Sequence, residues 1–370
     1  VRAEAQEADK DLSRGVNRGP LHGVPFTMKD QVLTKGIITT NGCPELRSYV
    51  PREDATVVKR LKQAGGVLLG KTNVDEMCYH GGSGNVVYGR TNNPYDGSRT
   101  PGGSSSGEAA IIAACGSPFG LGSDIGNSIR APAHFCGIAG IKPTCRLVPE
   151  TGLLSAFPSS FYDWNCIGPM ARHVEDLELV LQIISGPDGV DPYVAPVELG
   201  RSCDVPMAGL RVALCTDDGA TNPTSETVKA VQRAADSLRV SRATVVEDRP
   251  PGIDQAQDIW IYNILPLWLS SIKYYPKEYA KLAKSQVAEK RHIATEELLE
   301  AFEAAIKEKD YGFDRQIELL AELQQYREDM MRFIGNYDVV LSPVTNYPAA
   351  LADPIKPQED SEYEDWESIK

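Results

Sequence analysis

Three short segments hold the residues most able to do chemistry: Gly23-Val24-Pro25-Phe26-Thr27-Met28-Lys29-Asp30, Pro101-Gly102-Gly103-Ser104-Ser105-Ser106-Gly107-Glu108 and Gly122-Ser123-Asp124-Ile125-Gly126-Asn127-Ser128-Ile129-Arg130. Lys29 follows the apolar residues Val24, Pro25, Phe26 and Met28. Such a run draws the amine into an apolar layer, where an ammonium is disfavoured, and makes Lys29 a candidate base. The glycine-serine stretch runs directly into a helix-forming segment, Glu108 to Cys115, so its hydroxyls and amides stand at a helix N-terminus. Ser128 follows Asp-Ile-Gly-Asn, where successive backbone N–H groups can form a nest for an oxyanion. A base, clustered hydroxyls and an anion nest are the parts of nucleophilic catalysis. Each segment alone has a plainer reading, as a surface lysine, a flexible spacer or a polar turn. The histidines (22, 80, 134, 173 and 292) stand in neither a G-x-S-x-G elbow nor a metal-ligand spacing, so a Ser-His-Asp hydrolase is not supported.

The elements that must position these segments alternate. Residues 54 to 64 read as a helix with apolar positions Val57, Val58, Leu61 and Ala64 after an Asp able to cap it, and Gly65-Gly66 stops it before the strand Val67-Leu68-Leu69. The small-residue helix from Glu108 leads into a glycine-rich strand beginning at Phe119. This order implies an α/β layer structure with buried strands. Between Gly81 and Gly140 lie 14 of the chain's 32 glycines, a density that signals unusual φ/ψ or close backbone approach. Beyond the turn cluster Pro187 to Pro192 the texture changes: strands at 210–214, 243–247 and 337–341, helices at 225–238, 256–273, 295–306 and 314–334, with interruptions expected at Pro251, Pro266 and Pro276. Two regions follow: 1–192, which carries the chemistry, and 193–370, more helical and charged, which covers the core and shapes a pocket.

Composition narrows the class. Thirty-eight Lys and Arg against 51 Asp and Glu leave a net charge of −13, which disfavours nucleic acid as a partner. No apolar run is long enough to span a bilayer, and the start VRAEAQEADK lacks the features of a signal peptide, so the chain reads as cytoplasmic. The apolar stretch Ile259 to Leu269 lacks basic flanks and reads as a pocket cover rather than a membrane contact. Eight cysteines without a C-x-x-C pair read as free, mostly buried thiols.

The three segments, together with Gly19-Pro20-Leu21-His22-Gly23-Val24-Pro25, Gly70-Lys71-Thr72-Asn73-Val74-Asp75-Glu76-Met77, Phe135 to Thr144 and Gly168-Pro169-Met170-Ala171-Arg172, resemble the amidase signature family. The motifs are closest to its fatty-acid amide hydrolase-like and bacterial branches, and the likeness covers roughly residues 15 to 192. It implies a mixed, twisted central sheet with helices on both faces and a Ser-Ser-Lys triad. Ser128 is then the nucleophile, Ser104 the bridging serine and Lys29 the base. The amides of Ile125, Gly126, Asn127 and Ser128 become the oxyanion hole, Ser105 supports the network, and Asp124 and Arg130 hold the loop. Asn127 stands where the family commonly has glycine, and asparagine tolerates the left-handed backbone such a position requires. The substrate implied is a small-molecule amide, cleaved to acid and amine or ammonia through an acyl-enzyme, with no metal or organic cofactor.

Two other functions fit the same motifs: the glutaminase component of an amidotransferase, and an inactive binding protein on an amidase scaffold. Met77, Cys78 and Tyr79 are candidates for the pocket wall, as is the segment Leu153 to Trp164. Association as a homodimer is compatible with this reading, whereas membrane contact is not expected. The chain begins with Val1 and stops at Lys370 after an acidic run, Glu359 to Asp365, so the natural protein is expected to extend beyond both ends.

Overall fold

The computed structural model describes residues 1–154, 163–288, 291–308 and 313–352. Its elements are α1 (Arg2–Ser13), β1 (Pro25–Lys29), α2 (Thr56–Gln63), β2 (Val67–Thr72), the ribbon β3 (Gly84–Asn85) and β4 (Gly89–Arg90), α3 (Ser106–Ala113), β5 (Phe119–Asp124), α4 (Arg130–Phe135), β6 (Ala139–Gly140), β7 (Cys166–Ala171) and α5 (Val174–Ile184). These are followed by β8 (Arg211–Leu214), α6 (Ser225–Val240), β9 (Thr244–Glu247), α7 (Ala256–Ala283), α8 (Ile293–Glu308), α9 (Phe313–Ile334) and β10 (Val339–Leu341). A five-stranded sheet runs in the order β2-β1-β5-β7-β6. β1 is parallel to β2 and β5, while β7 is antiparallel to β5 and β6, so the sheet is mixed as expected.

Side-chain alternation explains how both faces are covered. Phe26 and Met28 of β1 point into a core with Val57, Val58 and Leu61 of α2 and Leu177, Val180 and Ile184 of α5. Gly120 and Gly122 of β5 face the other way and let α3 approach: a Cβ at Gly120 would collide with Glu108 Oε2, and one at Gly122 would stand 2.7 Å from Ser105 Oγ. On that side Ala109 and Ile112 pack with Ile129, Ala133 and Met170.

Two expectations are corrected. The helix at 54–64 has no side-chain cap, because Asp54 accepts from the Lys35 amide at 2.7 Å and from Lys62 Nζ at 2.9 Å instead. Pro266 and Pro276 do not interrupt the third quarter of the chain, and α7 runs continuously through both. Each proline removes one ladder donor. The helix is held by packing of Ile264, Ile272 and Tyr279 against Cys43, Leu46 and Met77 of the first half. A second, parallel sheet in the order β10-β8-β9 packs its Leu214 against Val231 and Ala235 of α6. Among the described residues no helix is long and apolar enough to cross a membrane.

Candidate active site

β1 delivers Lys29 to the end of the sheet with no exposed surface. Its Nζ lies 2.6 Å from Ser104 Oγ, 2.9 Å from Ser123 Oγ and 3.3 Å from the Ser123 carbonyl oxygen. Among the described residues no carboxylate forms an ion pair with it. Ser104 and Ser105 are buried at the entry to α3, and the Ser105 amide donates to the Ser128 carbonyl at 3.2 Å, tying the second segment to the third. Ser128 is half-buried and lines the same cavity as Ser104 and Ser123.

Gln31 and Ser123 give the cluster a direction that the sequence did not suggest. The Gln31 amide nitrogen donates to the Leu154 carbonyl at 3.1 Å, so its Oε1 faces Ser123 as an acceptor. The Ser123 hydroxyl therefore donates to Gln31 at 2.7 Å and can only accept from Lys29. With Nζ donating to the Ser123 hydroxyl and carbonyl, the Lys29 amine is held in a fixed orientation 2.6 Å from the Ser104 hydroxyl oxygen.

The loop bearing Ser128 hangs on Asp124. Its carboxylate accepts from the amides of Asn127 at 2.9 Å and Ile129 at 3.0 Å, and from Arg130 Nε at 3.0 Å and Nη2 at 2.9 Å. Burial pushes the Asp124 carboxyl up, but the Arg130 hydrogen bonds and charge outweigh it and hold the group below the ordinary carboxylate range. Asn127 adopts φ 78°, the left-handed region asparagine tolerates, and its side chain donates to the Val344 carbonyl at 3.2 Å. Its N–H is thus engaged by Asp124, leaving Ile125, Gly126 and Ser128 as the other amides of the predicted nest.

Behind α3, Glu108 is fully buried and accepts from Thr27 Oγ1 and Thr72 Oγ1, each at 2.7 Å. Burial raises its carboxyl to about 7. Lys71, half-buried, is lowered to about 8 by desolvation, against the pull of Asp30.

The cavity over these serines has a volume of about 250 Å³. Of the three predicted wall residues, Cys78 and Tyr79 line it, whereas Met77 packs behind them. Only Leu153, Leu154, Asp163 and Trp164 of the predicted segment 153–164 lie among the described residues. An aromatic part of the wall comes from α7 and α8 through Trp260, Trp268 and Phe302. Trp268 stacks on Phe302 at 5.6 Å and meets Trp260 edge-on at 5.3 Å, and a Cβ at Gly126 would stand 2.8 Å from the Trp260 ring. Arg291, paired with Glu45 and with Glu76 at 2.6 Å, fixes the start of α8 to the first half of the chain. His80 also lines the cavity, stacked on His292 at 5.4 Å, and among the described residues its Nε2 has no hydrogen-bond partner. Among the same residues no group of three or more His, Cys, Asp or Glu side chains is placed to hold a metal.

The chain is 42% identical over 251 residues to a glutamyl-tRNA(Gln) amidotransferase component from Prochlorococcus marinus strain MIT 9303, covering 67% of this chain and 51% of that protein. It therefore spans about half the length of the curated relatives it matches. Among solved structures, 6-aminohexanoate cyclic dimer hydrolase superposes with a TM-score of 0.81 at 25% identity, covering 99% of this chain and 74% of the other. A fatty acid amide hydrolase superposes with a TM-score of 0.77 at 26% identity, covering 95% and 61%. The Amidase family model matches residues 1–368, and on that match, with the mixed sheet and the serine-lysine cluster it positions, the chain belongs to the amidase family.

Proposed function

We propose that this chain cleaves a carboxamide through an acyl-enzyme, with Ser128 as nucleophile, Ser104 as the bridging hydroxyl and Lys29 as base. The observation that carries the reading is the hydrogen-bonded line from Leu154 through Gln31 and Ser123 to Lys29 and Ser104. Lys29 takes the Ser104 proton while Ser104 takes that of Ser128, and Ser128 Oγ attacks the carbonyl carbon. The oxyanion is received by the amides of Ile125, Gly126 and Ser128. The proton returns along the same line to the leaving nitrogen, and water then enters by the same relay to release the acid.

The first reading takes glutamine as the amide. In that reading the chain is the glutaminase component of a larger enzyme and passes ammonia to a partner, as its relationship to the glutamyl-tRNA(Gln) amidotransferases supports. A second reading, hydrolysis of apolar amides by the chain alone, is favoured by the wall itself. Among the described residues lining the cavity there is no Asp, Glu, Lys or Arg, so the ammonium and carboxylate of free glutamine meet no opposite charge there, while aromatic rings offer apolar surface. The deciding assay follows glutamate and ammonia from glutamine beside arylamine release from short- and long-chain acyl anilides, with Ser128→Ala as the blank. Glutamine turnover supports the first reading and anilide turnover alone supports the second. Turnover of either substrate unchanged in Ser128→Ala overturns the assignment.

A further inference from the structure

Cys145 and Cys166 sit 21 residues apart in sequence and in different elements, yet their sulfurs are 3.4 Å apart. Lys142 Nζ stands over both, 3.5 Å from Cys145 Sγ and 3.2 Å from Cys166 Sγ. Cys166 is buried at the start of β7, and its Sγ lies 3.1 Å from the Pro143 carbonyl. Cys145 is half-buried in the turn after β6, with its Sγ 3.2 Å from the Asp163 carbonyl. The Cys166 hydrogen bond, opposed by burial and aided by the Lys142 ammonium, holds the Cys145 thiol below its ordinary range, while the same bond and burial push Cys166 up. The pair thus sets a half-buried thiol whose ionisation is favoured beside a buried thiol whose ionisation is disfavoured, with a lysine amine over both sulfurs. Among the described residues the other cysteines are not hydrogen-bonded to one another in this way.

We propose that Cys145 and Cys166 form a thiol modification site, oxidised by peroxide to a disulfide. The Cys145 thiolate attacks one peroxide oxygen, the O–O bond breaks, and hydroxide leaves, giving a sulfenic acid at Cys145. Cys166 sulfur then attacks Cys145 sulfur; the S–S bond forms, the S–O bond breaks, and the thiol proton leaves with the oxygen as water. Hydroxide is neutralised by the proton Cys145 gave up on ionising, so two thiols and one peroxide yield one disulfide and two waters. Lys142 favours the attacking thiolate without supplying electrons. The site adjoins the strand that leads to Ser128, since Cys166 pairs with Asp124 in the β5–β7 ladder.

The test exposes the folded chain to hydrogen peroxide, blocks remaining thiols by alkylation and maps peptides without reduction. A linked peptide pair containing Cys145 and Cys166, lost on treatment with dithiothreitol, is expected before any other cysteine is modified. Lys142→Met should slow its formation several-fold, and Cys166→Ser should leave Cys145 to accumulate as sulfenic or sulfinic acid. Because the wild-type map alone reads the bond, a variant that fails to fold does not spoil the test. Both cysteines remaining alkylatable, or either one linked to a different partner, overturns the proposal.

Discussion

Ser123→Ala removes a single oxygen from the middle of the line that orients Lys29. Gln31 Oε1 loses its donor at 2.7 Å, and Lys29 loses an acceptor at 2.9 Å. Ser123 is 4% exposed and Gln31 3%, so bulk water does not simply replace the hydroxyl. A buried acceptor left without a partner costs about 1–3 kcal/mol, and the expected loss of stability in urea is about 2 kcal/mol. The larger effect falls on the chemistry. The Lys29 amine keeps its bonds to Ser104 and the Ser123 carbonyl but is free to turn its N–H toward Ser104, which opposes proton uptake. A misorientation worth about 1.4–2.7 kcal/mol lowers kcat by roughly 10- to 100-fold, with KM changed by less than about threefold because Ser123 exposes little surface to a substrate. Gln31→Leu tests the coupling, since the two residues act through one bond. The double variant should lose about 1 kcal/mol or more less than the sum of the singles. A Ser123→Ala enzyme with wild-type kcat, or a double variant whose losses simply add, would refute the directional reading of the cluster.

Glu108→Gln should flatten the pH dependence of stability. In the folded protein the Glu108 carboxyl is raised by burial to about 7 from an ordinary value near 4.5. Between those values the folded state holds a proton that the unfolded state has released, so this group's contribution is full below about pH 4.5 and is lost as pH rises through 7, about 3 kcal/mol in all. Urea titrations across that range read the slope, and an unchanged slope in the variant contradicts the assignment. Asp124→Asn faces the Arg130 guanidinium with a donor in place of an acceptor; about 2 kcal/mol of stability and at least a 100-fold loss in kcat are expected, measured by denaturation and steady-state kinetics. Gly126→Val sets a branched side chain against the Trp260 ring and should raise KM for bulky amides far more than for small ones.

The serine-lysine cluster is legible in the sequence where the backbone itself carries the message. Lys29 ends an apolar strand, the serines open a helix, and Ser128 closes a loop capped by Asp124, so each is placed by local structure that its own neighbours specify. Gln31 and Ser123 are not, because their significance is a hydrogen bond across 92 positions of sequence, and a polar residue beside a reactive one looks like any other. The aromatic wall is legible only as an apolar stretch: Trp260 and Trp268 reach the serines through the packing of a helix more than 130 residues downstream, around a proline that reads locally as a break. Met77 shows the opposite limit. It belongs to the same apolar run as Cys78 and Tyr79, but a turn of positive φ at Met77 and Cys78 sends neighbouring side chains to different surroundings.

The claim on which the rest depends is that Ser128 is the acylated residue. Incubation of the folded chain with a fluorophosphonate, followed by peptide mass mapping, should place the adduct on Ser128 and nowhere else. Ser128→Ala should abolish both the adduct and several orders of magnitude of amide turnover while unfolding at the same urea concentration as the wild type. An adduct on another serine, or turnover that survives in Ser128→Ala, would contradict it.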